Sequence, residues 1–456
     1  MNAEDKLRYE ITKCRNCEAC KDLLNFSCLV FPEMFRLVDK EREAGEKIST
    51  DELRHLVDLC TFCAACPCLD IRAALMEAKT EYIDRYGLKF KIRAIEDVER
   101  IGKLGGAIPQ LTNFLLRNDV ARGLMEKTLG IHRDRKIPGF PKENFPEWIK
   151  KREKNIKAGT KEKRKVAYFA GCTARYLFPE VPKAVVEVFE RNGIDVYYPE
   201  QGCCGMPSLL EGDRKLTVGF ARINVDRLAD VVEEGYDIVC SCPTCGYMLK
   251  NILKVGAHYS PEYRDPVESI DGLVKIPLYG LLSSEYSGFF QIPVELFEEM
   301  LKDEGYFSFI SPRKRIMIAE NTYDVGEYLR ILHKKGELDT KLGPVSALAT
   351  YYPPCHLREQ RIGRPYQYLL SLIPGLSVDS IDGNYCCGNG GIMGFKHEFH
   401  HSSIKIASRL IAKIKSLKPE VLTTECLSCR MQFNQLTPYK VLHPIQIIKE
   451  SYSNYQ

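Results

Sequence analysis

Five cysteines of this chain recur in one order at a nearly constant interval. Cys172 and Cys355 lie 183 residues apart, as do Cys203 and Cys386, and Cys204 and Cys387. Cys242 and Cys426 lie 184 apart, as do Cys245 and Cys429. Each copy reads as a single Cys, then Cys-Cys-Gly, then Cys-x-x-Cys. A register kept within one residue over such an interval marks a duplicated structural unit. The flanking patterns recur as well. Val166–Ala170 and Ala349–Tyr352 are β-prone runs that end just before Cys172 and Cys355. A helix should follow each, with Val181, Ala184, Val185, Val188 and Phe189 at helical spacing after Pro182, and Tyr366, Leu369, Leu370 and Ile373 after Pro365. Strands at 195–198 and 376–378 lead toward Cys-Cys-Gly. A second helix carries Ala221, Val225, Leu228, Ala229 and Val232, matched by Ala407, Leu410, Ile411 and Ile414. Strands at 237–239 and 421–424 deliver Cys-x-x-Cys. This alternation predicts a parallel sheet with covering helices in each copy. Every cysteine group then falls just past the C-terminal end of a strand, where open α/β sheets hold their ligands. Five thiolates per copy can thus converge from three loops.

The chain of 456 residues carries 19 cysteines. Its N-terminus, Met-Asn-Ala-Glu-Asp-Lys, has no apolar core for a secretory signal, so stable disulfides are not expected and the thiols read as metal ligands in a cytoplasmic protein. Apolar runs such as Val166 to Ala170 fall far short of the roughly 20 residues that span a bilayer. A net charge of +4 gives no reason to expect nucleic-acid binding. No Gly-x-Gly-x-x-Gly follows a predicted strand, so no nicotinamide or flavin site is visible. The cysteines fall into two zones separated by Asp70 to Gly171. That interval holds a basic tract, Lys150 to Lys165, with nine Lys or Arg against two Glu, which reads as a solvated linker.

The first zone contains Cys14-x-x-Cys17-x-x-Cys20 and Cys60-x-x-Cys63-x-x-Cys66, each with a further cysteine downstream, Cys28 and Cys68. These triplets resemble the bacterial ferredoxin run, in which three cysteines hold one [4Fe–4S] cluster and the fourth reaches the other. The crossed pattern implied is Cys14, Cys17, Cys20 and Cys68 on one cluster, and Cys60, Cys63, Cys66 and Cys28 on the other. The fourth cysteines depart from the ferredoxin spacing. Structural zinc is the alternative, although zinc sites use paired Cys-x-x-Cys units more than triplets.

In the repeated zone, Gly171-Cys172, Gly202-Cys203-Cys204-Gly205 and Cys242-Pro-Thr-Cys245, then Pro354-Cys355-His356, Tyr385-Cys386-Cys387-Gly388 and Cys426-Leu-Ser-Cys429, resemble the cysteine-rich CCG family. That family includes the B and D subunits of heterodisulfide reductase, the C subunit of anaerobic glycerol-3-phosphate dehydrogenase, and iron–sulfur subunits of glycolate and lactate oxidation. The segment from Gly130 through Phe145 is similar to the connector of the same group. The resemblance implies an α/β class: an all-α ferredoxin-like two-cluster N-terminal domain, then two duplicated α/β CCG modules with parallel sheets. The organisation expected is a ferredoxin-like domain at 1–90, a helical connector and basic linker at 91–165, a first CCG module with a trailing insertion at 166–311, and a second at 312–456.

The resemblance further implies two CCG-bound, non-cubane [4Fe–4S] clusters. One would use Cys172, Cys203, Cys204, Cys242 and Cys245, the other Cys355, Cys386, Cys387, Cys426 and Cys429, and these ten cysteines would carry the catalysis. Zinc or a vicinal disulfide is the plainer alternative for each set. Cys240 is left over and reads as a buried strand thiol. His397, His400 and His401 read as a solvated helix face, and His356 as packing against its loop or as a proton donor to substrate. Tyr-, Phe- and Pro-rich residues from His258 to Ser311 have no readable motif and suit a partner surface. The implied function is an oxidoreductase of heterodisulfide-reductase type, passing electrons from the ferredoxin-like clusters to CCG clusters that reduce a disulfide or other two-electron acceptor. The alternative is an electron-transfer subunit linking a flavoprotein dehydrogenase, of glycerol-3-phosphate, lactate or glycolate type, to quinone or a membrane cytochrome partner, peripheral on the cytoplasmic face. A zinc-stapled scaffold is the third reading.

Overall fold

The computed structural model describes residues 2–24, 27–63, 66, 68–153, 164–260, 262, 271–277, 289–296 and 303–455. The N-terminal region is helical: α1 (Ala3–Cys17), α2 (Val30–Ala44), α3 (Thr50–Asp58) and α4 (Leu69–Tyr86). Local sequence sets these ends. The Asn2 side chain accepts from Asp5 N–H at the start of α1, and Ser49 and Glu52 form a reciprocal capping box on α3. Leu7 and Ile11, Met34 and Leu37, Leu53 and Leu56, and Ile71 and Leu75 meet in one buried core. Cys14, Cys20, Cys28, Cys60 and Cys66 belong to the same cluster. Removing these apolar faces from water is what fixes the cysteine loops that join the helices.

A connector follows, with α5 (Phe90–Glu96), α6 (Val98–Ala107), α7 (Pro109–Arg117), α8 (Asp119–Leu129) and α9 (Phe145–Glu153). Most of the expected basic linker, residues 154–163, lies outside the described residues.

The first α/β module contains β1 (Lys165–Phe169), α10 (Glu180–Arg191), β2 (Asp195–Tyr197), α11 (Arg214–Glu233) and β3 (Asp237–Cys240). A hairpin of β4 (Leu273–Pro277) and β5 (Phe289–Pro293) precedes α12 (Pro312–Glu320), β6 (Thr322–Asp324) and α13 (Val325–Lys334). The second module repeats the plan with β7 (Ala347–Tyr351), α14 (Pro365–Leu370), β8 (Leu376–Ser380), α15 (His400–Leu417), β9 (Val421–Thr423), α16 (Leu427–Leu436), β10 (Lys440–Leu442) and α17 (Pro444–Asn454). The two four-stranded sheets have orders β2-β1-β3-β6 and β8-β7-β9-β10, and every pairing within them is parallel. Val166 to Phe169 are fully buried, as a strand covered on both faces requires.

The sheet order corrects one expectation. The boundary expected at 311/312 would leave β6 in the second module, yet β6 pairs with β3 and completes the first sheet. The insertion therefore interrupts the first copy ahead of its last strand, and does not trail it. The part of 258–311 that is described includes the β4–β5 hairpin; much of the rest lies outside the described residues.

The modules also exchange helices. α17 of the second packs on α10 of the first, and α13 of the first packs on α14 of the second. One core runs through both, from Val185, Phe189 and Tyr328 to Tyr366, Ile445 and Ile448. Phe189 and Tyr328 stack with ring centres 5.8 Å apart. The α/β modules thus share a core, which holds their cysteine loops in fixed relation.

Candidate metal centres

In the first module the three cysteine loops leave the ends of β1, β2 and β3. Gly171 follows β1 with φ +74°, and a Cβ there would sit 2.7 Å from Cys245 Sγ. Cys172 Sγ lies 3.3 Å from Cys203 Sγ. Asn224 on α11 clamps the Cys-Cys loop, accepting from Gly202 N–H and donating to the Cys203 carbonyl. Gln201 donates to the Tyr168 carbonyl and accepts from Ala170 N–H, tying the same loop to β1. Hydrogen bonds among thiols join Cys203, Cys204, Cys245 and Cys242, so all five sulfurs form one group.

The second set repeats this. Cys429 Sγ donates to Cys387 Sγ at 3.2 Å, Cys386 hydrogen-bonds Cys387, and Cys426 hydrogen-bonds Cys429. Cys355 feels the charges of Cys387 and Cys426. Both Cys204 and Cys387, the middle residues of the paired motifs, face their groups.

Crowding redistributes protons within each set. Hydrogen bonds from Cys203 and Cys245 lower the Cys204 thiol to about 6, and one from Cys245 lowers Cys242 to about 7. Bonds from Cys386 and Cys429 push Cys387 well below the usual thiol range, while the donors are pushed up. Gathering thiolates in buried, mutually repelling groups is unfavourable without a cation among them. None of the nineteen cysteines is disulfide-bonded. Five soft sulfur donors around one point exceed the four of a tetrahedral zinc site and fit a larger iron–sulfur group.

In the N-terminal region, Cys14 is raised to about 11 by burial and then by Cys20, Cys68 and Cys17, so these four thiols are neighbours. Cys28 is raised to about 12 by burial and then by Cys63 and Cys60, and Cys66 is raised by burial and by Cys60, Cys63 and Cys28. Cys28 and Cys68 thus stand beside the triplets they do not follow in sequence. Cys17 and Cys68 are exposed, whereas Cys60 is buried.

The sets adjoin. Cys28, Cys60, Cys63 and Cys66 line one cleft with Cys386 and Gly388. A second, open cavity is lined by Cys172, Cys204, Cys242 and Cys245 of the first module, by Cys355, Cys386, Cys387, Cys426 and Cys429 of the second, and by Cys63. Arg72 on α4 bonds Glu359 at 2.7 Å, and Glu359 also accepts from Tyr247 Oη, so three units are tied at this junction.

His356 is buried here. Its Nδ1 is 3.0 Å from Thr244 Oγ1 and its Nε2 3.1 Å from the Phe62 carbonyl, and its ring stacks on Tyr247. Burial lowers its pKa, so the neutral ring serves as a bridge between the N-terminal region and both modules. Cys240 is fully buried on β3. His400 departs from expectation: it is buried, its Nδ1 is 3.1 Å from the Gly394 carbonyl, and its ring stacks on His132 at 4.0 Å between centres. The start of α15 packs against the loop after α8, which turns that residue inward; His397 and His401 remain exposed.

Sequence reading missed the arginines around the sulfur groups. Arg135 is 1% exposed, lies over the Phe395 ring, donates to Asn389 Oδ1 at 2.7 Å and to Gln432, and stands near Cys387. Arg175 is buried beside Cys172 and pairs with Glu99 of α6. Arg358 neighbours Cys355 and Cys386. Arg135 lies in the connector-like segment from Gly130 through Phe145, but nothing in that segment or around Arg175 and Arg358 marks a residue that reaches the sulfur groups.

The family model for the CCG cysteine-rich domain matches residues 166–250 and 349–434, so the chain carries two copies of this domain. It is 22% identical over 360 residues to the C subunit of anaerobic glycerol-3-phosphate dehydrogenase of Escherichia coli, covering 78% of this chain and 76% of that one. It is 25% identical over 300 residues to the B subunit of fumarate reductase (CoM/CoB) of Methanothermobacter marburgensis, covering 64% of this chain and 47% of the relative. Lactate utilization protein A 1 of Bacillus mycoides is 26% identical over 294 residues, covering 63% of this chain and 97% of the relative. Among the described residues no helix is long and apolar enough to cross a membrane.

Proposed function

We propose that the chain is an iron–sulfur oxidoreductase of heterodisulfide-reductase type that receives electrons at its exposed N-terminal thiol set and delivers them to the cavity between the two CCG sets. The observation that carries this reading is the common cavity: thiols of both CCG sets and Cys63 face one space. The ligand assignment follows the groups of neighbouring sulfurs. Cys14, Cys17, Cys20 and Cys68 form the outer site. Cys28, Cys60, Cys63 and Cys66 form the inner one, beside Cys355 and Cys386. Iron–sulfur clusters at these four sites would supply one-electron storage. A disulfide that takes two electrons and two protons becomes two thiols, and the space between two storage sites suits such an acceptor. The residues of the chain hold the sulfurs, fix the modules through the shared core, and brace the junction through the Arg72–Glu359–Tyr247 and Thr244–His356–Phe62 bridges.

A second reading is an electron-transfer subunit that joins a flavoprotein dehydrogenase to quinone or a membrane partner. It is favoured by α7, which buries none of its residues and exposes Leu111 and Phe114, a surface suited to another polypeptide of a complex. The similarity to the glycerol-3-phosphate dehydrogenase relative supports it too.

The test is spectroscopy of anaerobically purified protein with and without candidate disulfides. About sixteen iron per chain are expected. A disulfide-dependent paramagnetic signal that Cys387→Ser abolishes supports the first reading. Reduction of a quinone analogue with no response to any disulfide supports the second. Stoichiometric zinc with little iron excludes both.

A further inference from the structure

We propose that Glu126, His132 and His397 form a binding site for a divalent transition-metal ion of the zinc type, at the seam between the connector and the second CCG module. One ring nitrogen of each histidine and one carboxylate oxygen of Glu126 lie within 4.8 Å of one another. Two imidazoles and a carboxylate are donors that zinc-type ions take, and three such ligands leave a further position to water or to a neighbouring side chain. His401, with its ring centre 5.4 Å from that of His132, stands at the edge of the group.

The three ligands come from separate pieces of chain that the backbone holds together. Glu126 lies in the last turn of α8. His132 is in the loop that follows, and His397 precedes α15. Ile131 and Lys396 form an antiparallel bridge. On either side of it, His132 N–H donates to the Phe395 carbonyl at 2.9 Å and His397 N–H donates to the Gly130 carbonyl at 2.7 Å. The two histidines are therefore set facing each other by main-chain bonds, independently of their side chains. His397 Nδ1 is 2.9 Å from Glu126 Oε1, which also accepts from Arg133 N–H at 3.1 Å, and an ion bound to this carboxylate competes with the Arg133 guanidinium, whose Nε is 3.3 Å from Oε2. The Arg133 side chain is 57% exposed, so its release into water costs little. Asp134, whose carboxylate is 3.9 Å from His132 Nδ1, adds negative charge at the rim.

An ion here would pin the connector to the second module at the head of the loop that carries Arg135 to the Cys387 group. It would be separate from the sulfur sites, since none of its ligands is a cysteine.

The test uses the holoprotein, purified anaerobically, treated with a mild chelator, then equilibrated with zinc sulfate and dialysed. Zinc and iron per chain are measured together by mass spectrometry. One zinc per chain is expected, with iron unchanged. His397→Ala and Glu126→Gln replace partly or largely exposed side chains, and each should weaken zinc binding by more than the roughly 10- to 100-fold that loss of an outer partner costs a metal site. Equal zinc retention by the wild type and both variants would place the ion on cysteines and overturn the proposal. So would a wild type that retains no zinc.

Discussion

The repeat makes a paired substitution informative, because the two Cys-Cys-Gly glycines have the same backbone and different neighbours. Gly205 has φ +89° and Gly388 φ +82°, so alanine at either position is held in the left-handed region, at about 1–2 kcal/mol. At Gly205 the added Cβ meets Thr217 at 3.4 Å, an ordinary contact. At Gly388 it would fall 2.1 Å from the Ser403 carbonyl oxygen and 3.2 Å from Ala407 N, both in the backbone of α15. A helix backbone inside a close-packed module cannot yield as a side-chain end can, so the loop must retreat by more than about 1 Å. That loop carries Cys386 and Cys387 and is held by Gly388 N–H to Cys386 Sγ. Gly205→Ala should therefore cost only about 1–2 kcal/mol, with iron retained. Gly388→Ala should exceed about 4 kcal/mol or unseat the second CCG group. Thermal unfolding and iron content of the two variants, prepared side by side under anaerobic conditions, measure the difference. Equal losses in both would refute the steric argument and leave only the shared backbone strain.

Glu96 is buried at the end of α5, and burial followed by the nearby Asp213 raises it from 4.5 to about 8. The folded chain then binds a proton that the unfolded chain has released, so this contribution is full below about pH 4.5 and is lost as pH rises through about 8. Glu96→Gln should flatten the fall in thermal midpoint between about pH 4.5 and 8; identical slopes in the two proteins would show that Glu96 is ionised when folded. Cys240→Ala should leave iron content unchanged and cost about 1 kcal/mol, since the thiol, although it neighbours Cys204 and Cys242, is buried in the apolar packing around β3. Loss of iron from that variant would make Cys240 a ligand.

The duplicated modules were legible because their signals are local and periodic. Val181, Val185 and Val188 announce a helix face, and a β-run ending in Gly-Cys announces a strand with a ligand loop. The last strand of each sheet was not. Thr322–Asp324 and Lys440–Leu442 are three residues long, and Thr-Tyr-Asp has no apolar alternation to detect. The insertion also displaces the first of them from the 183-residue register, so the repeat could not reveal the pair. Arg135 was hidden in a different way. In sequence it sits in the connector-like segment from Gly130 through Phe145, where nothing local signals burial. In the fold its guanidinium is buried because Asn389 and Gln432, distant in sequence, accept its hydrogen bonds and Phe395 covers its face. His400 follows the same logic: helical periodicity gave its face no apolar partner, and the partner is His132, 268 positions earlier. Contacts between units leave no periodic trace in either unit.

Charge around the two CCG groups argues that they are not equivalent. The first has Arg175 beside Cys172, but that guanidinium is paired with Glu99. The second has Arg135 near Cys387 and Arg358 near Cys355 and Cys386, and among the described residues neither makes an ion pair with a carboxylate. Adding an electron to a buried site is easier where uncompensated positive charge surrounds it. The second group should accordingly have the higher reduction potential, and it is the one beside Cys63. Arg135→Met keeps the length and apolar body of the side chain while removing its charge. It leaves Asn389 Oδ1 and Gln432 without their donor, at about 1–3 kcal/mol. A charge several ångströms away is worth about 1–4 kcal/mol between aqueous and protein-like surroundings, so the second group's potential should fall on the order of 50–150 mV. The first group's should stay in place. Potentiometric titration followed by electron paramagnetic resonance would resolve the two. A fall at the first group, or none at the second, would show that screening by the cysteine sulfurs and backbone dipoles outweighs the guanidinium.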